Sequence, residues 1–405
     1  MAFLYINPRG QKWRKHSYSA GNLWDKCPKA YMLQKIQGWK EKDTFARFAL
    51  GKAFETALQH HHENGGGGVE RFQKEWAPYK DVKELVYTKV EKDWQNCLRI
   101  GVDWMKLYMV RQPSLPIPMG SRTIFQREYS KEVFPGDPNY GEIEDAGKLD
   151  IVAFADPNHP LLPRLNWLPE YGLYRPIIVD IKTAGQDFPE AYGIAAYDTQ
   201  LRRYSWQSGI RDVALLWFVK KSHTLSKGNS VSLLEDAAPF KAGQEAVIAA
   251  IDGDDVILVA NDFLVEQMGD AQGRKPDGAL QTTKEAKERR NAWLKNFGTI
   301  VPADIITKQR LQFNAGFVTI ESAQEAGRIA ARQIVEIVNA WKAAEAGDKF
   351  AYYNSFGVRF PHDDKNDSYF RAFILGDEAF RNITFTKSDE ETAEDLFGDR
   401  ESEGE

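Results

Sequence analysis

The spacing of apolar residues predicts helices first, then strands, then helices again. Apolar side chains recur at helical intervals over Ser17–His62 and Val69–Arg111. Segments rich in β-formers follow at Thr123–Val133, Lys148–Ala155 and Pro176–Lys182, a helical pattern returns over Pro189–Ile210, and Val213–Val219 with Ser230–Leu234 resembles a hairpin. This order predicts an α/β fold in which a mixed central β-sheet is flanked by helices.

The same pattern divides the chain into four regions. They are an N-terminal helical region (1–120), a strand-containing core (121–237), a mostly helical C-terminal region that packs on the core (238–387) and an acidic tail (388–405). The tail has nine acidic residues, one arginine and only two large apolar residues, so we expect it to be disordered. Its local charge is -8, whereas the whole chain carries -5, so residues 1–387 carry +3.

Composition narrows the class of protein. Of the 405 residues, 42% are hydrophobic and 27% charged, which is typical of a globular chain rather than a disordered one. The sequence has no apolar run of membrane-spanning length, and its first apolar residues precede the charges, unlike a secretory signal. Two cysteines, Cys27 and Cys97, cannot form a disulfide framework. We therefore expect a cytoplasmic protein without membrane contact.

Acidic residues at two strand ends are the first candidates for chemistry. Asp180 and Lys182 are two apart on a strand, so their side chains leave the same face, while Ile181 faces the core and keeps its carbonyl available. Antiparallel pairing of strands 148–155 and 176–182 would put Asp150 beside Asp180. Two such carboxylates repel unless a cation lies between them, and hard oxygen ligands favour Mg²⁺ or Mn²⁺. Lys182 would then hold or polarise a metal-bound water and offset phosphate charge.

Gln200 and Tyr204 lie four residues apart on the following helix and share one of its faces, which can contact a substrate. Each candidate also has a plainer interpretation. A single strand-end aspartate often caps a turn, Lys182 can be a simple salt-bridge partner, and Tyr204 is equally well a core aromatic. The combination of residues favours the chemical interpretation over these alternatives.

These residues form ordered motifs that resemble a known family. The motifs are G-x-x-x-E from Gly51 to Glu55, G-x-x-D from Gly147 to Asp150, D-x-K from Asp180 to Lys182, Q-x-x-x-Y from Gln200 to Tyr204, and a helical entry segment with a C-P pair from Ser19 to Tyr31. Their order and spacing resemble the PD-(D/E)XK nucleases, in particular the RecB-like exonuclease branch, which includes phage recombination and CRISPR-adaptation nucleases. The resemblance spans about Ser17 to Tyr204.

The resemblance implies a restriction-endonuclease-like core at 121–237 and a metal-dependent deoxyribonuclease, most consistent with an exonuclease of recombination, repair or replication. A phage origin, with activity in the host cytoplasm, fits the branch. Carried over by position, Glu55, Asp150, Asp180 and the Ile181 carbonyl would bind Mg²⁺ or Mn²⁺, Lys182 would be the catalytic lysine, and Gln200, Arg203 and Tyr204 would contact the substrate.

Two departures from the branch affect the expected cofactors. Glu55 stands where many relatives have histidine, and an acid there still suits a hard cation. Many relatives also hold an iron–sulfur cluster through the cysteine of C-P and three more cysteines near the C-terminus. Cys27 is in the matching place, but residues 367–375 contain no cysteine, and a cluster needs four thiolates. We therefore expect no iron–sulfur cluster.

Two other functions compete with the nuclease. One is a catalytically silent DNA-binding module that keeps the nuclease fold, and the other is an interaction protein that works through its acidic tail. DNA is the expected partner, together with a helicase, recombinase or single-strand-binding protein, because the sequence has no P-loop of its own. The basic segment 284–295 is as compatible with a solvated helix face as with a DNA contact.

Overall fold

The structure is a computed structural model. It describes residues 13–42, 44–89, 91–140, 142–165, 172–184, 193–220, 223–224, 245–252, 255–259, 298–302, 311–353, 370–374 and 376–387. Among the helices in these ranges, none combines the length and the apolar character needed to cross a membrane.

The α-helices are α1 (Tyr18–Lys26), α2 (Pro28–Tyr31), α3 (Ala46–Asn64), α4 (Gly68–Trp76), α5 (Trp94–Arg111), α6 (Thr199–Ser208), α7 (Ile320–Glu345) and α8 (Glu378–Thr384). The strands are β1 (Lys15–Ser17), β2 (Trp39–Glu41), β3 (Thr44–Phe45), β4 (Leu85–Val86), β5 (Thr123–Glu132), β6 (Glu144–Ala155), β7 (Arg175–Ala184), β8 (Asp212–Val219), β9 (His223–Thr224), β10 (Glu245–Asp252), β11 (Asp255–Val259), β12 (Gly298–Pro302), β13 (Leu311–Phe317) and β14 (Phe385–Lys387). Short 3₁₀ or π-helical segments cover Met32–Ile36, Ala77–Asp81, Gln112–Ser114, Gly120–Arg122, Ile194–Tyr197 and Phe370–Ile374.

Local signals in the sequence set the limits of the helices that carry site residues. The Asp198 carboxylate accepts hydrogen bonds from the backbone amides of Gln200 and Leu201, both at 2.9 Å, and so begins α6. Helix α3 ends at Gly65, whose backbone is left-handed (φ 69°), a conformation that glycine adopts without steric cost. Both ends are therefore fixed by residue type.

The central sheet is mixed. Within the described residues its strand order is β1-β6-β7-β8-β13, and β5 also pairs with β6. Strands β6 and β7 are antiparallel, β7 and β8 are parallel, and β8 and β13 are antiparallel. The predicted α/β fold with a mixed central sheet flanked by helices is thereby confirmed, as is the antiparallel pairing of β6 with β7, although the paired residues end at Ile151 and Val179, one position before Asp150 and Asp180.

Strand β6 shares one of its edges between two partners. Near its start it pairs in parallel with β1, from Glu144 to Ala146, and near its end it pairs with β7, from Ile151 to Ala155. Strand β7, in contrast, stays paired with β8 as far as Ala184. The strands β6 and β7 therefore diverge beyond the pair Ile151–Val179, and we call this opening the β6/β7 fork.

Helices cover both faces of the sheet. On one face Leu50 and Phe54 of α3 pack with α4 and α5 against strand residues such as Val179 and Phe218. On the other face Leu201 of α6 packs against the strands, and α7 lies over α6. A further apolar cluster joins α1, α7 and the segment before β1. The fork thus lies between a layer containing α3 and a layer containing α6.

The described part of the C-terminal region, which was expected to be mostly helical, contains strands as well as helices. Helix α7 and the short α8 are helical, but the region also contains β10, β11 and β12, which form a sheet with β9, and β13, which joins the central sheet. In β13 apolar and polar residues alternate, and this period lets one face pack into the core while the backbone completes the free edge of β8.

Three expectations fall wholly or partly outside the described residues. These are the basic segment 284–295, the acidic tail 388–405 and the strand Ser230–Leu234. The hairpin expected between Val213–Val219 and Ser230–Leu234 is nevertheless wrong for the central sheet. Both edges of β8 are taken, one by β7 and the other by β13, so no edge is left for a hairpin partner.

Candidate active site

The β6/β7 fork brings the predicted acidic residues together. Continuing the register beyond Ile151–Val179 puts Asp150 opposite Asp180, and the Asp150 Oδ2 accepts a hydrogen bond from the Ile181 backbone amide at 2.9 Å. Because β7 has left β6 at this point, the side chain of Asp150 satisfies an amide that would otherwise need a strand partner. Asp180 itself is almost fully buried, with 1% exposure.

A chain of polar contacts links the fork to α6. The Lys182 Nζ lies 2.5 Å from the Asp180 Oδ2 and also donates a hydrogen bond to the Gln200 Oε1 at 2.9 Å. The Gln200 Nε2 in turn donates to the Tyr204 hydroxyl at 2.7 Å. The two residues predicted to share a helix face therefore do so, and Gln200 positions the ammonium group of the lysine.

Glu55 reaches the same site from α3 on the other side of the sheet. Burial, followed by repulsion from Asp180, raises the pKa of Glu55 to about 7. Burial also raises the pKa of Asp150, with Glu55 as the next cause, and raises that of Asp180 despite the neighbouring Lys182. For Lys182, burial acts to lower the pKa, but Asp180 outweighs it and the pKa rises. The Lys182 ammonium therefore stays charged. The three carboxylates, in contrast, repel one another and are buried, so their ionised forms are destabilised.

Strand β6 is irregular where it carries Asp150. Leu149 belongs to the core under α6 and Ile151 to the core under α3, although residues two apart on a regular strand share a face. On β5, Phe125 pairs with Ile151 and Arg127 with Leu149, so Gln126 lies opposite Asp150, and its backbone is left-handed (φ 52°). The local reversal of the strand faces explains how a β6 carboxylate interacts with a glutamate of α3.

Gly147 is required by the close approach of α6. A Cβ at this position would lie 2.4 Å from the Gln207 Oε1 and 2.8 Å from the Tyr204 Cε1. A larger residue would force the side chains of Gln207 and Tyr204 to move, and Tyr204 is the residue that orients Gln200. The glycine of the predicted G-x-x-D motif therefore has a packing role here.

Arg203 lies away from the position expected for a substrate contact. Its Nε donates to both carboxylate oxygens of Asp145 at 2.9 Å, its guanidinium also contacts the Gln333 Oε1 at 3.1 Å, and only 3% of the residue is exposed. Arg203 is one residue off the face that carries Gln200 and Tyr204, and this rotation points it into the interface with α7. The structure therefore assigns it to the packing of α6.

Two grooves open beside the fork, and Lys148 lines both. The α6 groove, of about 360 Å³, is lined by residues that include Tyr18, Glu128, Gly147, Lys148, Gln200 and Tyr204. The α3 groove, of about 540 Å³, is lined by residues that include Arg47, Phe48, Gly51, Lys52, Glu55 and Lys148. The α3 groove therefore reaches Glu55 and the α6 groove reaches Gln200 and Tyr204, while Asp180 stays almost fully buried.

Several residues of this site were not predicted from the sequence. Asp198 is a lesser cause that raises the pKa values of both Asp180 and Lys182. Its position directly before a helical segment is a recognisable N-cap signal in the sequence. Lys148 lies inside the G-x-x-D motif without being part of it. The left-handed conformation of Gln126 has no sequence signal, because glutamine rarely adopts it.

The donor chemistry of the fork suits a hard divalent cation. Carboxylates whose pKa values are raised by burial and mutual repulsion are stabilised when a cation binds between them. The buried Asp180 Oδ2 has the ion-pair contact with Lys182 but no hydrogen bond of good geometry. Among the described residues, no three His, Cys, Asp or Glu side chains are grouped closely enough to ligate a metal as they stand. A cation that binds here would compete with Lys182 for the Asp180 Oδ2.

Comparisons with known proteins add little to this picture. No family model and no curated protein matches the sequence. Among solved structures, the crystal structure of SSO0001 is similar over 49% of this chain and 70% of that chain, at 12% identity and a TM-score of 0.18. A likeness at that level supports no statement about the activity, so the proposed function rests on the site.

Proposed function

We propose that this chain is a metal-dependent deoxyribonuclease of the PD-(D/E)XK type, built on a restriction-endonuclease-like core and acting as an exonuclease in DNA recombination, repair or replication. One observation carries the proposal. The β6/β7 fork combines Asp150, Asp180 and Lys182 at the divergence of two antiparallel strands, and Glu55 completes the acidic group from a helix. Such a pairing of carboxylates with a lysine serves phosphoryl transfer, where developing negative charge must be stabilised.

In this proposal Asp150, Asp180, Glu55 and the Ile181 carbonyl hold Mg²⁺ or Mn²⁺. The cation would supply Lewis acidity and lower the pKa of a bound water. The three carboxylates come from separate elements, so folding itself sets their spacing. Without a cation the pKa values of the three carboxyl groups are raised, because their negative charges are buried close together. A bound cation would relieve this repulsion, and that relief favours metal binding.

The role that we propose for Lys182 is electrostatic. Asp180 raises its pKa, so it remains an ammonium at neutral pH and does not act as a general base. Gln200 accepts one of its hydrogen bonds and Tyr204 orients Gln200, which fixes the ammonium beside the carboxylates. A fixed cation in this position would hold the attacking water and stabilise the phosphate as charge develops on it.

The test is hydrolysis of end-labelled linear DNA and of circular DNA in Mg²⁺ or Mn²⁺. We expect the wild-type protein to shorten linear DNA and to spare closed circles. Asp180→Asn keeps the shape of the side chain but removes its charge, and it should lower the rate by at least about 10²-fold. Asp156→Asn is the matched control, because Asp156 is exposed and follows the opposite end of β6, where its carboxylate caps a turn.

Two results would contradict the proposal. One is an Asp180→Asn variant that cleaves at the wild-type rate, and the other is a wild-type protein that hydrolyses no DNA with either metal. The second result would favour a catalytically silent DNA-binding protein. The close Asp180–Lys182 contact supports that alternative, because an ion pair already neutralises a carboxylate that the nuclease needs for its metal.

A further inference from the structure

One face of α3 forms a wall of the α3 groove. Its lining residues recur at intervals of three and four, and they are Phe48, Gly51, Lys52, Glu55, Thr56 and Gln59. Phe48 and Glu55 are two helical turns apart, which corresponds to about 10 Å along the helix axis. A ligand that lies along this face would therefore reach from the phenyl ring of Phe48 to the acidic residues of the fork.

The charge of the α3 groove suits a polyanion. Arg47, Lys52 and Lys148 contribute cations, whereas Glu55 is the acid among the described residues that line it. Lys52 and Lys148 are exposed, so the ammonium group of each can contact a phosphate without leaving the protein core. Three cations around one metal-binding acid favour a ligand with repeated negative charges.

Phe48 projects a large apolar ring from the entrance of this groove. The residue is 62% exposed, and its ring lies edge-on to Phe45 with 6.3 Å between the centroids. The Arg47 guanidinium lies 4.8 Å from the centroid of Phe48 and 4.7 Å from that of Phe45. A single exposed aromatic residue needs no explanation, but this ring contacts two neighbours and lies on the face of α3 that carries Glu55.

Gly51 leaves space between that ring and Glu55. No atom lies within 4 Å of the position where its Cβ would be, so packing does not require a glycine. A glycine inside a helix destabilises it by about 0.5–1 kcal/mol relative to alanine. Open space at this point lets a ligand backbone approach the helix closely, which gives the glycine a binding role.

Gln126 closes the opposite side of the same groove. Its left-handed backbone (φ 52°) is uncommon for a residue with a side chain, and strain of this kind often accompanies binding sites. Since Gln126 lies opposite Asp150 in the sheet, its side chain enters the groove next to the acidic residues. An amide group there can donate to a phosphate or accept from a base.

We propose that the α3 groove binds a single strand of DNA, with one unpaired base stacked on Phe48 and the adjoining phosphates at Arg47, Lys52 and Lys148. A base can stack on a side chain only after it has left its own duplex stack, so this geometry selects single strands or frayed ends over intact duplex. The inference rests on the proposed nuclease function and specifies the form of DNA that its site receives.

The test measures the affinity for a fluorescent oligodeoxynucleotide by anisotropy, in EDTA so that no cleavage occurs. Phe48→Ala should weaken single-strand binding about 5- to 150-fold, as expected for the loss of one stacked base, and Phe48→Trp should restore it. Tyr174→Ala is the matched control. Tyr174 is also an exposed ring beside an arginine, Arg122 at 5.2 Å, but it lies next to the start of β7, away from the fork.

A blunt duplex of the same sequence supplies the second measurement. Duplex binding should be weaker than single-strand binding and should change little in Phe48→Ala. The inference is overturned if Phe48→Ala binds single strands as the wild type does, if Tyr174→Ala loses as much affinity, or if an oligoribonucleotide binds more tightly than DNA.

These outcomes separate the inference from the nuclease proposal. If single-strand binding depends on Phe48 but the protein hydrolyses no DNA with Mg²⁺ or Mn²⁺, the single-strand binding site is supported and the nuclease proposal is rejected. If the protein cleaves DNA but Phe48→Ala does not change its affinity for single strands, the nuclease proposal is supported and the single-strand binding site is rejected.

Discussion

Glu55 is a carboxyl group held between other acids, and its protonation is coupled to folding. Its pKa is raised to about 7 in the folded chain, first by burial and then by Asp180, against about 4.3 in an unfolded one. Between these values the folded state binds more protons than the unfolded state, so stability decreases as pH rises. The contribution of Glu55 is therefore complete near pH 4 and lost above about pH 7.

We predict that Glu55→Gln flattens this pH dependence. In EDTA, the free energy of unfolding of the wild type should fall between about pH 4 and pH 7, by up to about 3 kcal/mol more than that of the variant. Urea unfolding at several pH values measures the difference. Glu70→Gln, at an exposed position on α4, is the control and should follow the wild type. Parallel curves for wild type and Glu55→Gln would show that Glu55 is not protonated in the folded protein.

A second prediction separates stability from function at Gly51. Gly51→Ala should raise the free energy of unfolding by about 0.5–1 kcal/mol, because the helix gains a better helix former and no atom opposes the new methyl group. The same methyl group should weaken single-strand binding and slow cleavage.

Gly101→Ala provides the contrast, since its Cβ would lie 1.9 Å from the Phe72 ring and the variant should be less stable. Thermal unfolding and anisotropy on both variants make the comparison. If Gly51→Ala binds single-stranded DNA with wild-type affinity and cleaves at the wild-type rate, the glycine has no role in binding.

At the scale of elements, α6 is held in place by a buried ion pair. Asp145 of β6 is fully buried, and it accepts hydrogen bonds from Arg203 and, at 2.7 Å, from the Gln207 Nε2. Arg203 also reaches Gln333 on α7, so one guanidinium ties three elements together. The helix that orients Lys182 through Gln200 is thus fixed by a charge pair buried in the protein.

We predict that Arg203→Ala lowers the free energy of unfolding by about 3–5 kcal/mol, because Asp145 would keep a buried charge without its partner. Adding Asp145→Asn should recover part of the loss by removing that charge. Urea denaturation measures both variants. If Arg203 contacted a phosphate instead, Arg203→Ala would stay stable and would reduce the dependence of DNA affinity on salt.

The sequence predicted the parts of the site that local patterns determine. Residue spacing on strands and helices was enough to put Asp180 with Lys182 and Gln200 with Tyr204, and antiparallel pairing brought Asp150 to the first pair. What it missed depends on contacts distant in the chain. The burial of Arg203 requires Asp145, 58 residues away, and the membership of β13 in the central sheet requires β8. The alternation in β13 was readable, but its partner was not.

At the scale of the whole molecule, charge is divided between the body and the C-terminal residues. The chain carries -5, and residues 388–405 contribute -8 of it, so removing them leaves +3. Net charge affects the rate at which a polyanion is attracted, and salt screens this effect over about 8 Å at physiological ionic strength.

We predict that truncation after Lys387 speeds association with single-stranded DNA at low salt, and that the gain disappears as salt is added. Stopped-flow anisotropy measures the rate. A chain of full length with the acids of 388–405 changed to Asn and Gln is the control, and it should behave like the truncated one if charge is the cause. Equal rates for full-length and truncated protein at low salt would leave the acidic residues with a solubilising or partner-docking role.

The pairing of β8 with β13 also sets the stage of synthesis at which the central sheet can be completed. Strand β8 ends at Val219, and the strand that covers its edge begins at Leu311. During synthesis β8 therefore keeps an open edge while the intervening segment leaves the ribosome, and such edges are prone to pairing with other chains. We expect the nascent protein to rely on chaperones over this interval. The central sheet should therefore be complete only after Phe317 has left the ribosome.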